Sequence, residues 1–304
     1  MVLQKTENAE ETVTFSGLSD EKKISRMDEM GKNLWTEAFV RDPQFGNFTV
    51  ALLGKMGSGK SSLMLWATKR ILETYPNELC LWREPYNCIL QTANLIPYGV
   101  PLNLCAEKKL NMKVFESIED ETMEQTLIPQ HDIIVHEFES QDDLLSLLKK
   151  KHINLVYYSK RSLWFELLSK MKENRAWQTF FWDEISRMVP DPNVLSSKDA
   201  WHNSASFCTS VEQLRKNRIG LWLSTHSLKE IDYRLKQKIM ISIHLRGSSK
   251  PQDSPIYQEV FHTIQKGQAL IEYCSEFGKL RFQPLFPAKK QYFPHTEQEE
   301  IEVD

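Results

Sequence analysis

The sequence is poor in cysteine, and its cysteines are not arranged for cross-linking. There are five in 304 residues, and no two have the Cys-x-x-Cys spacing. Disulfide-rich secreted domains use even sets of cysteines, and zinc modules use paired ones. The sequence therefore argues against a disulfide framework or a cysteine-based zinc site, and it favours a reducing cytoplasm.

Long apolar runs and an excess of one charge are also missing. No run approaches the roughly 18 apolar residues of a membrane helix, so we expect no integral membrane segment. The start, MVLQKTENAEETV, is polar and does not resemble a signal peptide. The formal net charge is only −3. Any contact with nucleic acid would have to come from local basic patches or from a ring of subunits.

What the sequence does contain is an alternation of strands and helices from residue 47 onward. Apolar runs such as FTVALL, WQTFFWDE and GLWLSTH read as strands, and helical patterns separate most of them. This alternation is typical of an α/β fold, a mainly parallel sheet with helices on both faces. QALIEYC and FGKLRFQPL predict a C-terminal antiparallel hairpin, with YQEVFHTIQ as a further edge strand.

Three segments lie outside this rhythm. Residues 1–46 predict a polar leader followed by one helix. Residues 86–130 are interrupted by prolines and contain the acidic run ESIEDETMEQ, so we interpret them as an insertion within one α/β domain spanning 47–290. Residues 291–304 end in TEQEEIEVD and predict an acidic, disordered tail.

Glycine is scarce, but three glycines fall within the stretch GKMGSGKSS that follows FTVALL. Gly54, Gly59, Lys60 and Ser61 fit the phosphate-loop pattern G-x-x-x-x-G-K-[ST] between a strand and a helix. Glycines allow the backbone N–H groups to turn toward an anion, and the lysine reaches the β- and γ-phosphates. A flexible turn is the alternative, but four fixed positions with correct flanks make a chance match rare. The predicted ATP-binding residues are Gly54, Lys55, Met56, Gly57, Ser58, Gly59, Lys60, Ser61 and Ser62.

Two acidic residues end the strand WQTFFWDE. Beside a phosphate loop, Asp183 would hold Mg²⁺ together with the Ser61 hydroxyl, and Glu184 would activate water as general base. A kinase needs no water activator, so the pair favours hydrolysis over phosphoryl transfer to a metabolite. The alternative is an ordinary helix-capping Asp before EISRM.

The strand GLWLSTH ends in the polar residues Ser224, Thr225 and His226. A polar tip beside the acidic strand is where a γ-phosphate sensor is expected, so we assign Thr225 and His226 to catalysis. A strand-to-helix cap explains Ser224 and Ser227 equally well.

Taken in order, these motifs resemble the FtsK/HerA superfamily, in particular its small viral or plasmid DNA-packaging and Zot-like export branch. The resemblance rests on GKMGSGKSS, FFWDEISRM, VEQLRKNRIGLWLSTHSLKEIDYRLK and the terminal hairpin. It implies a RecA-like additional-strand P-loop NTPase fold. His226 departs from the glutamine usual at this position; an imidazole still donates or accepts a hydrogen bond, with a pH sensitivity that an amide lacks.

The resemblance also implies a partner and an assembly. Members of the superfamily hydrolyse ATP with Mg²⁺ as hexameric rings around DNA in a central channel, without reading its sequence. An arginine from one subunit completes the neighbour's site, and Arg234 is the first candidate here, ahead of Arg215 and Arg218. The setting implied is the cytoplasm of a prokaryotic cell, with a virus or plasmid as the possible source of the gene.

Two questions stay open at this level. The densest basic region for a DNA contact comprises Lys149, Lys150, Lys151, Lys160 and Arg161, although lysines at a helix end are often only solvated. The alternative function is a nucleotide-binding assembly or secretion protein of Zot-like type, with little motor activity.

Overall fold

The structure is a computed structural model that describes residues 20–42, 46–84, 88–107, 110–117, 123–126, 133–158, 161–173, 176–194, 198–250, 254, 256, 258–285 and 290–295. The strands are β1 (Thr49–Leu53), β2 (Leu79–Arg83), β3 (Leu102–Ala106), β4 (Asn111–Ser117), β5 (Met123–Thr126), β6 (Ile133–Glu137), β7 (Ile153–Tyr157), β8 (Gln178–Trp182), β9 (Ile219–Thr225), β10 (Ile241–Leu245), β11 (Gln268–Tyr273), β12 (Glu276–Arg281) and β13 (Lys290–His295).

Seven helices accompany these strands in the described ranges. They are α1 (Asp20–Glu37), α2 (Lys60–Thr74), α3 (Gln141–Leu147), α4 (Arg161–Met171), α5 (Lys198–Lys216), α6 (Tyr233–Lys236) and α7 (Gln258–His262). Among the helical residues that the structure describes, no helix is long and apolar enough to span a bilayer.

The main sheet has ten strands in the order β12-β11-β10-β1-β9-β8-β2-β7-β3-β6. The eight strands from β10 to β6 are parallel to their neighbours. Strands β11 and β12 add an antiparallel hairpin to the β10 edge. The predicted α/β fold class, with its C-terminal antiparallel hairpin, is confirmed.

Strand β9 lies between β1 and β8, and this order brings the predicted site together. Leu53 at the end of β1 is paired with Thr225, and Leu223 is paired with Trp182 at the end of β8. Because neighbouring parallel strands end at the same edge of a sheet, the residues that follow β1, β8 and β9 meet there. An inserted strand between the phosphate-loop strand and the acidic strand is the additional-strand arrangement predicted above.

The sheet is buried on both faces. Every residue of β1, β3, β7, β8 and β9 is buried, as expected for parallel strands covered by helices on each side. On one face the ring of Phe181 stacks on Trp82 at 5.1 Å and lies 6.0 Å from Trp222. Trp182 packs on the opposite face, 5.1 Å from Phe207 of α5. This packed centre fixes the strand ends that carry the polar residues.

The N-terminal helix docks on the C-terminal hairpin. The predicted helix is confirmed as α1, and it packs mainly on β12. The contact is close at Gly31, where a Cβ would lie 2.1 Å from the carbonyl oxygen of Lys279. Gly278 meets the backbone of Gly31 in the same way. Helix α1 therefore braces the hairpin that forms one wall of the site described below.

The interpretation of residues 86–130 as an insertion is wrong for β3. This strand lies between β7 and β6 inside the main sheet. Its short run LNLCA is hard to recognise as a strand in the sequence, because prolines precede it and the polar Asn103 interrupts it. That residue is tolerated in the core because its amide donates to Asn154 of β7 at 2.8 Å. The remainder supplies β4 and β5, which form a separate small sheet.

Two further expectations are corrected near the C-terminus. YQEVFHTIQ was predicted to be an edge strand, but it contains α7, and Phe261 and Ile264 are buried together in a small apolar cluster. Side chains at i and i+3 share a face of a helix but lie on opposite faces of a strand, so this spacing favours a helical turn. Residues 290–295 form β13, paired with β4, so the ordered chain continues past the predicted boundary at 291. Residues 296–304 and the predicted leader 1–19 lie outside the described residues.

Candidate active site

The phosphate loop connects β1 to α2 in a conformation that requires glycine. Gly57 and Gly59 have φ values of +71° and +97°, a region that residues with a Cβ adopt only with strain. Gly59 also meets the C-terminal hairpin, since a Cβ on it would lie 3.1 Å from the ring of Phe282. Helix α2 begins at Lys60, so the loop presents its N–H groups and the helix N-terminus to one space.

Lys60 is buried and held by the loop itself. Its Nζ donates to the carbonyl oxygens of Gly54 at 2.7 Å and Lys55 at 3.2 Å, and it lies 3.2 Å from His226 Nδ1. Burial lowers the pKa of Lys60, while Asp183 and other nearby carboxylates oppose this shift. The ammonium group is thus partly desolvated beside the loop, where a polyphosphate would replace the carbonyl oxygens as its partner.

Asp183 joins three structural elements at the end of β8. Its Oδ2 accepts a hydrogen bond from Ser61 Oγ at 3.0 Å, and its Oδ1 accepts one from Ser224 Oγ. Carboxylate and hydroxyl oxygens are the ligands that Mg²⁺ prefers, and this ion usually completes its shell with water and substrate phosphate. In the described part of the chain no group of three or more His, Cys, Asp or Glu forms a metal cage. Ser61 and Asp183 supply a hydroxyl and a carboxylate side by side, which fits Mg²⁺ that is shared with a phosphate.

Glu184 has a strained backbone and a paired side chain. Its φ of +52° lies in the left-handed region, which is uncommon for a residue with a Cβ. Its N–H donates to Ser224 Oγ at 3.0 Å, and its carboxylate lies 2.5 Å from Arg187 Nε. Strain of this kind persists where surrounding contacts enforce it, and it is common at active sites.

The polar residues at the end of β9 make contacts of two kinds, either within the following turn or to the phosphate loop. Thr225 is buried, and its hydroxyl donates to Ser227 O at 3.1 Å and to Glu230 at 3.3 Å. His226 Nδ1 lies 3.2 Å from both Gly54 O and Lys60 Nζ. The structure thus places His226 against the phosphate loop, whereas Thr225 bonds within the turn that follows β9. Ser224, for which the sequence analysis allowed a capping role, hydrogen-bonds to Asp183.

Arg234 is engaged within its own chain. Its guanidinium forms several hydrogen bonds to the buried Asp232, with Nε at 3.0 Å from Oδ1 and Nη2 at 2.5 Å from Oδ2. It also lies 4.8 Å from the ring of Trp201 and 5.7 Å from that of Tyr233. It is not among the residues that line the cavity at the phosphate loop.

That cavity has a volume of about 690 Å³, within the range of small-ligand sites. The phosphate loop, Asp183, Glu184 and His226 form one part of its lining, and residues distant in sequence form the rest: Gln91, Lys266, Pro284 and Leu285. The last three belong to the ends of the C-terminal hairpin. The side chain of Lys55, a residue predicted to bind ATP, extends over Gly247, where an added Cβ would lie 2.7 Å from it.

The sequence also gave no sign of Glu84, which follows β2. This carboxylate is buried, and it accepts hydrogen bonds from the N–H groups of Gln91 at 3.0 Å and Thr92 at 2.7 Å. Burial raises the pKa of Glu84 to about 7, with a further contribution from Asp183, although the hydrogen bonds oppose the shift. By accepting the Gln91 N–H, Glu84 positions Gln91 in the lining of the cavity.

Glu84 should make stability depend on pH. Between its ordinary pKa of 4.5 and about 7, the unfolded chain loses this proton while the folded chain keeps it. The free energy of unfolding should therefore fall as pH rises through this window, by up to about 3 kcal/mol for this group. Urea unfolding from about pH 5 to 7.5 should show a smaller fall for Glu84→Gln than for wild type. The exposed Glu139→Gln serves as control; an unchanged pH dependence in Glu84→Gln would contradict the assignment.

No known protein family and no curated protein matches the sequence significantly. Among solved structures, the genome packaging NTPase B204 from Sulfolobus turreted icosahedral virus 2, in complex with ATP-gammaS, is similar with a TM-score of 0.48 and 13% identity, covering 81% of this chain and 100% of that one. EssC (ATPases 2 and 3) from Geobacillus thermodenitrificans is similar with a TM-score of 0.42 and 9% identity, covering 81% of this chain and 41% of that one.

The Thermomonospora curvata Type VII secretion ATPase EccC gives a TM-score of 0.42 and 11% identity over its cytoplasmic domain, covering 79% of this chain and 25% of that one. These likenesses concern the fold alone.

Proposed function

We propose that the protein hydrolyses ATP with Mg²⁺ and uses the energy to move nucleic acid as a ring-forming motor. The observation that carries the hydrolytic part is the position of Asp183, bonded to Ser61 beside the phosphate loop and to Ser224 of the adjacent strand. This contact joins the phosphate cradle to the strand that also carries Glu184.

The chain's own groups have distinct roles toward the nucleotide. The loop N–H groups and Lys60 bind the β- and γ-phosphates, for which Lys60 exchanges its carbonyl partners. Ser61 and Asp183 would hold Mg²⁺, which neutralises charge on the phosphate oxygens. The hairpin residues Pro284 and Leu285 supply an apolar wall on the other side of the cavity.

Hydrolysis needs a base for the attacking water. The water oxygen forms a bond to the γ-phosphorus, the bond from that phosphorus to the β,γ-bridging oxygen breaks, and the water proton passes to the Glu184 carboxylate. The pairing of Glu184 with Arg187 must open for this transfer. His226, beside Lys60, is positioned to respond to the γ-phosphate, and Thr225 holds the turn on which it sits.

The motor part of the proposal is supported by the motif resemblance. It implies hexameric rings, a sequence-independent grip on DNA in a central channel, and a prokaryotic cytoplasm as the setting. In such a ring Arg234 would reach a neighbour's nucleotide by exchanging Asp232 for phosphate oxygens.

The proposal predicts ATP hydrolysis that DNA stimulates. Phosphate release should rise several-fold on addition of double- or single-stranded DNA, and native mass measurement should show hexamers with ATP and DNA. Folded protein that hydrolyses no ATP at saturating DNA would contradict the proposal. Nucleotide-dependent assembly without DNA affinity would instead support the secretion or assembly alternative.

A further inference from the structure

A groove rich in basic side chains adjoins the nucleotide cavity. It consists of two cavities of about 520 and 670 Å³ that share Ser248 and Ser249. We call this space the basic groove. Its lining includes five basic side chains from four separate segments: Lys55, Lys229, Lys236, Arg246 and Lys250.

Among the residues that the structure describes, the lining of the basic groove contains five basic side chains and one carboxylate, Glu272. That group accepts a hydrogen bond from Ser254 at 3.1 Å and lies 3.6 Å from the buried His244. In the described ranges no carboxylate lies within ion-pair distance of any of the five basic groups. Clustered cations without counter-charges favour an anionic ligand.

The basic groove also contains a polar group without a partner. Ser248 lines both cavities and is 6% exposed, and its hydroxyl has no hydrogen-bond partner among the described residues. Buried hydroxyls in native proteins are nearly always hydrogen-bonded, because desolvation without a partner is costly. A phosphate oxygen in the groove would satisfy this hydroxyl.

Two contacts connect the basic groove to the nucleotide site. His226 lines the groove as well as the nucleotide cavity and lies 3.2 Å from Lys60 Nζ. On the other side, the Lys55 N–H donates to Arg246 O at 3.2 Å, which ties the phosphate loop to the turn after β10. A ligand in the groove would therefore contact the elements that hold the catalytic lysine.

The ligand chemistry that fits is a chain of phosphates. The basic side chains are spread over two neighbouring cavities that share two lining residues, which suits a repeating anion better than a single one. A phosphodiester backbone presents regularly spaced charges and is bound without sequence readout.

The basic cluster at 149–151 is less suited to bind DNA in a way that is coupled to ATP hydrolysis. It precedes β7, at the amino ends of the parallel strands, whereas the phosphate loop lies at their carboxyl ends. It is thus separated from the nucleotide site by the length of the sheet.

We propose that the basic groove binds the backbone of a nucleic-acid strand next to the nucleotide. This rests on the proposed function for the identity of the partner. A strand bound in the groove then affects the position of Lys60 through two contacts: His226, and the hydrogen bond between Lys55 and Arg246.

Binding of a fluorescent oligothymidylate, followed by anisotropy over a range of salt concentrations, tests this proposal. Lys236→Gln/Lys250→Gln should weaken binding about tenfold at low salt and reduce the slope of log K against log salt by about 1.4, for two lost contacts to a single strand. The matched control, Lys150→Gln/Lys151→Gln, removes two exposed lysines at the opposite edge and should bind as wild type does. Arg246→Gln, at an exposed turn, gives a second groove variant with the same direction of effect.

The proposal is overturned if the control loses affinity while the groove variants retain it. It is also overturned if folded wild-type protein binds pyrophosphate but no oligonucleotide, which would make the groove a small-anion site. Binding is measured without hydrolysis. A failure of the ATPase assay would therefore contradict the proposed function without contradicting the proposed groove.

Discussion

Replacing Lys60 by alanine is expected to abolish ATP hydrolysis while the fold is retained. The side chain is the one cation that the structure buries inside the phosphate loop, within the described residues, and its Nζ bonds to Gly54 O and Lys55 O where the phosphates are proposed to bind. Removing a group aimed at developing phosphate charge costs on the order of 10²–10³-fold in rate, and the loss of binding adds to this. Steady-state phosphate release and binding of a fluorescent ATP analogue measure both effects.

The same helix provides a matched control for Lys60→Ala. Lys69 lies further along α2, where it pairs with the exposed Glu73, and Lys69→Ala should leave hydrolysis within about twofold of wild type because a surface ion pair contributes little. Thermal unfolding of both variants separates a catalytic loss from a folding loss. Near-normal hydrolysis by Lys60→Ala with an unchanged melting temperature would remove the lysine from the mechanism.

The parts of the site that could be predicted from the sequence are those defined by neighbours along the chain. The phosphate loop needs glycines at fixed spacings, and the structure shows why: Gly57 and Gly59 have positive φ values. Asp183 was recognisable because it ends an apolar strand. The order of β1, β9 and β8 came from the resemblance, since strand order in a parallel sheet is not encoded in local pattern.

The parts that the sequence missed depend on contacts between distant segments. Glu84 is separated from Asp183 by almost a hundred residues, and only the pairing of β2 with β8 brings them to one edge. Lys266 lies in the turn that precedes β11, at the outer end of the hairpin, and lines the cavity from there. No spacing rule joins such residues, so burial and strand order must be known first.

Arg234 illustrates a role that single-residue reasoning leaves open. The motif suggested an arginine acting on a neighbouring subunit, yet Asp232, two residues earlier, already binds its guanidinium and also caps α6. The ion pair keeps Arg234 at a defined place beside Trp201, which is 41% exposed. An exposed aromatic with a pre-positioned arginine is suited to an interface between subunits. A free, solvated arginine would have to be ordered at the moment of contact.

The carboxylates at this edge of the sheet differ in how many hydrogen bonds their oxygens already accept. Asp183 is bonded through both oxygens, and Glu84 accepts two backbone N–H groups. Glu184 lines the nucleotide cavity and is paired with the half-exposed Arg187 across one helical turn. The Arg187 side chain is 59% exposed and can turn into solvent when nucleotide binds, so Glu184 is the carboxylate placed to take a proton.

Glu184→Gln should therefore lower the turnover rate by about 10²–10⁴-fold and leave ATP affinity nearly unchanged, because a neutral amide keeps the size but accepts no proton. Single-turnover hydrolysis and binding of a fluorescent ATP analogue measure the two effects separately. The backbone N–H to Ser224 is unaffected by the change, so the strained turn is retained. Glu139→Gln, at an exposed position, should behave as wild type. If Glu184→Gln hydrolysed ATP normally while folded Glu84→Gln did not, the base would be Glu84 and the assignment made here would be wrong.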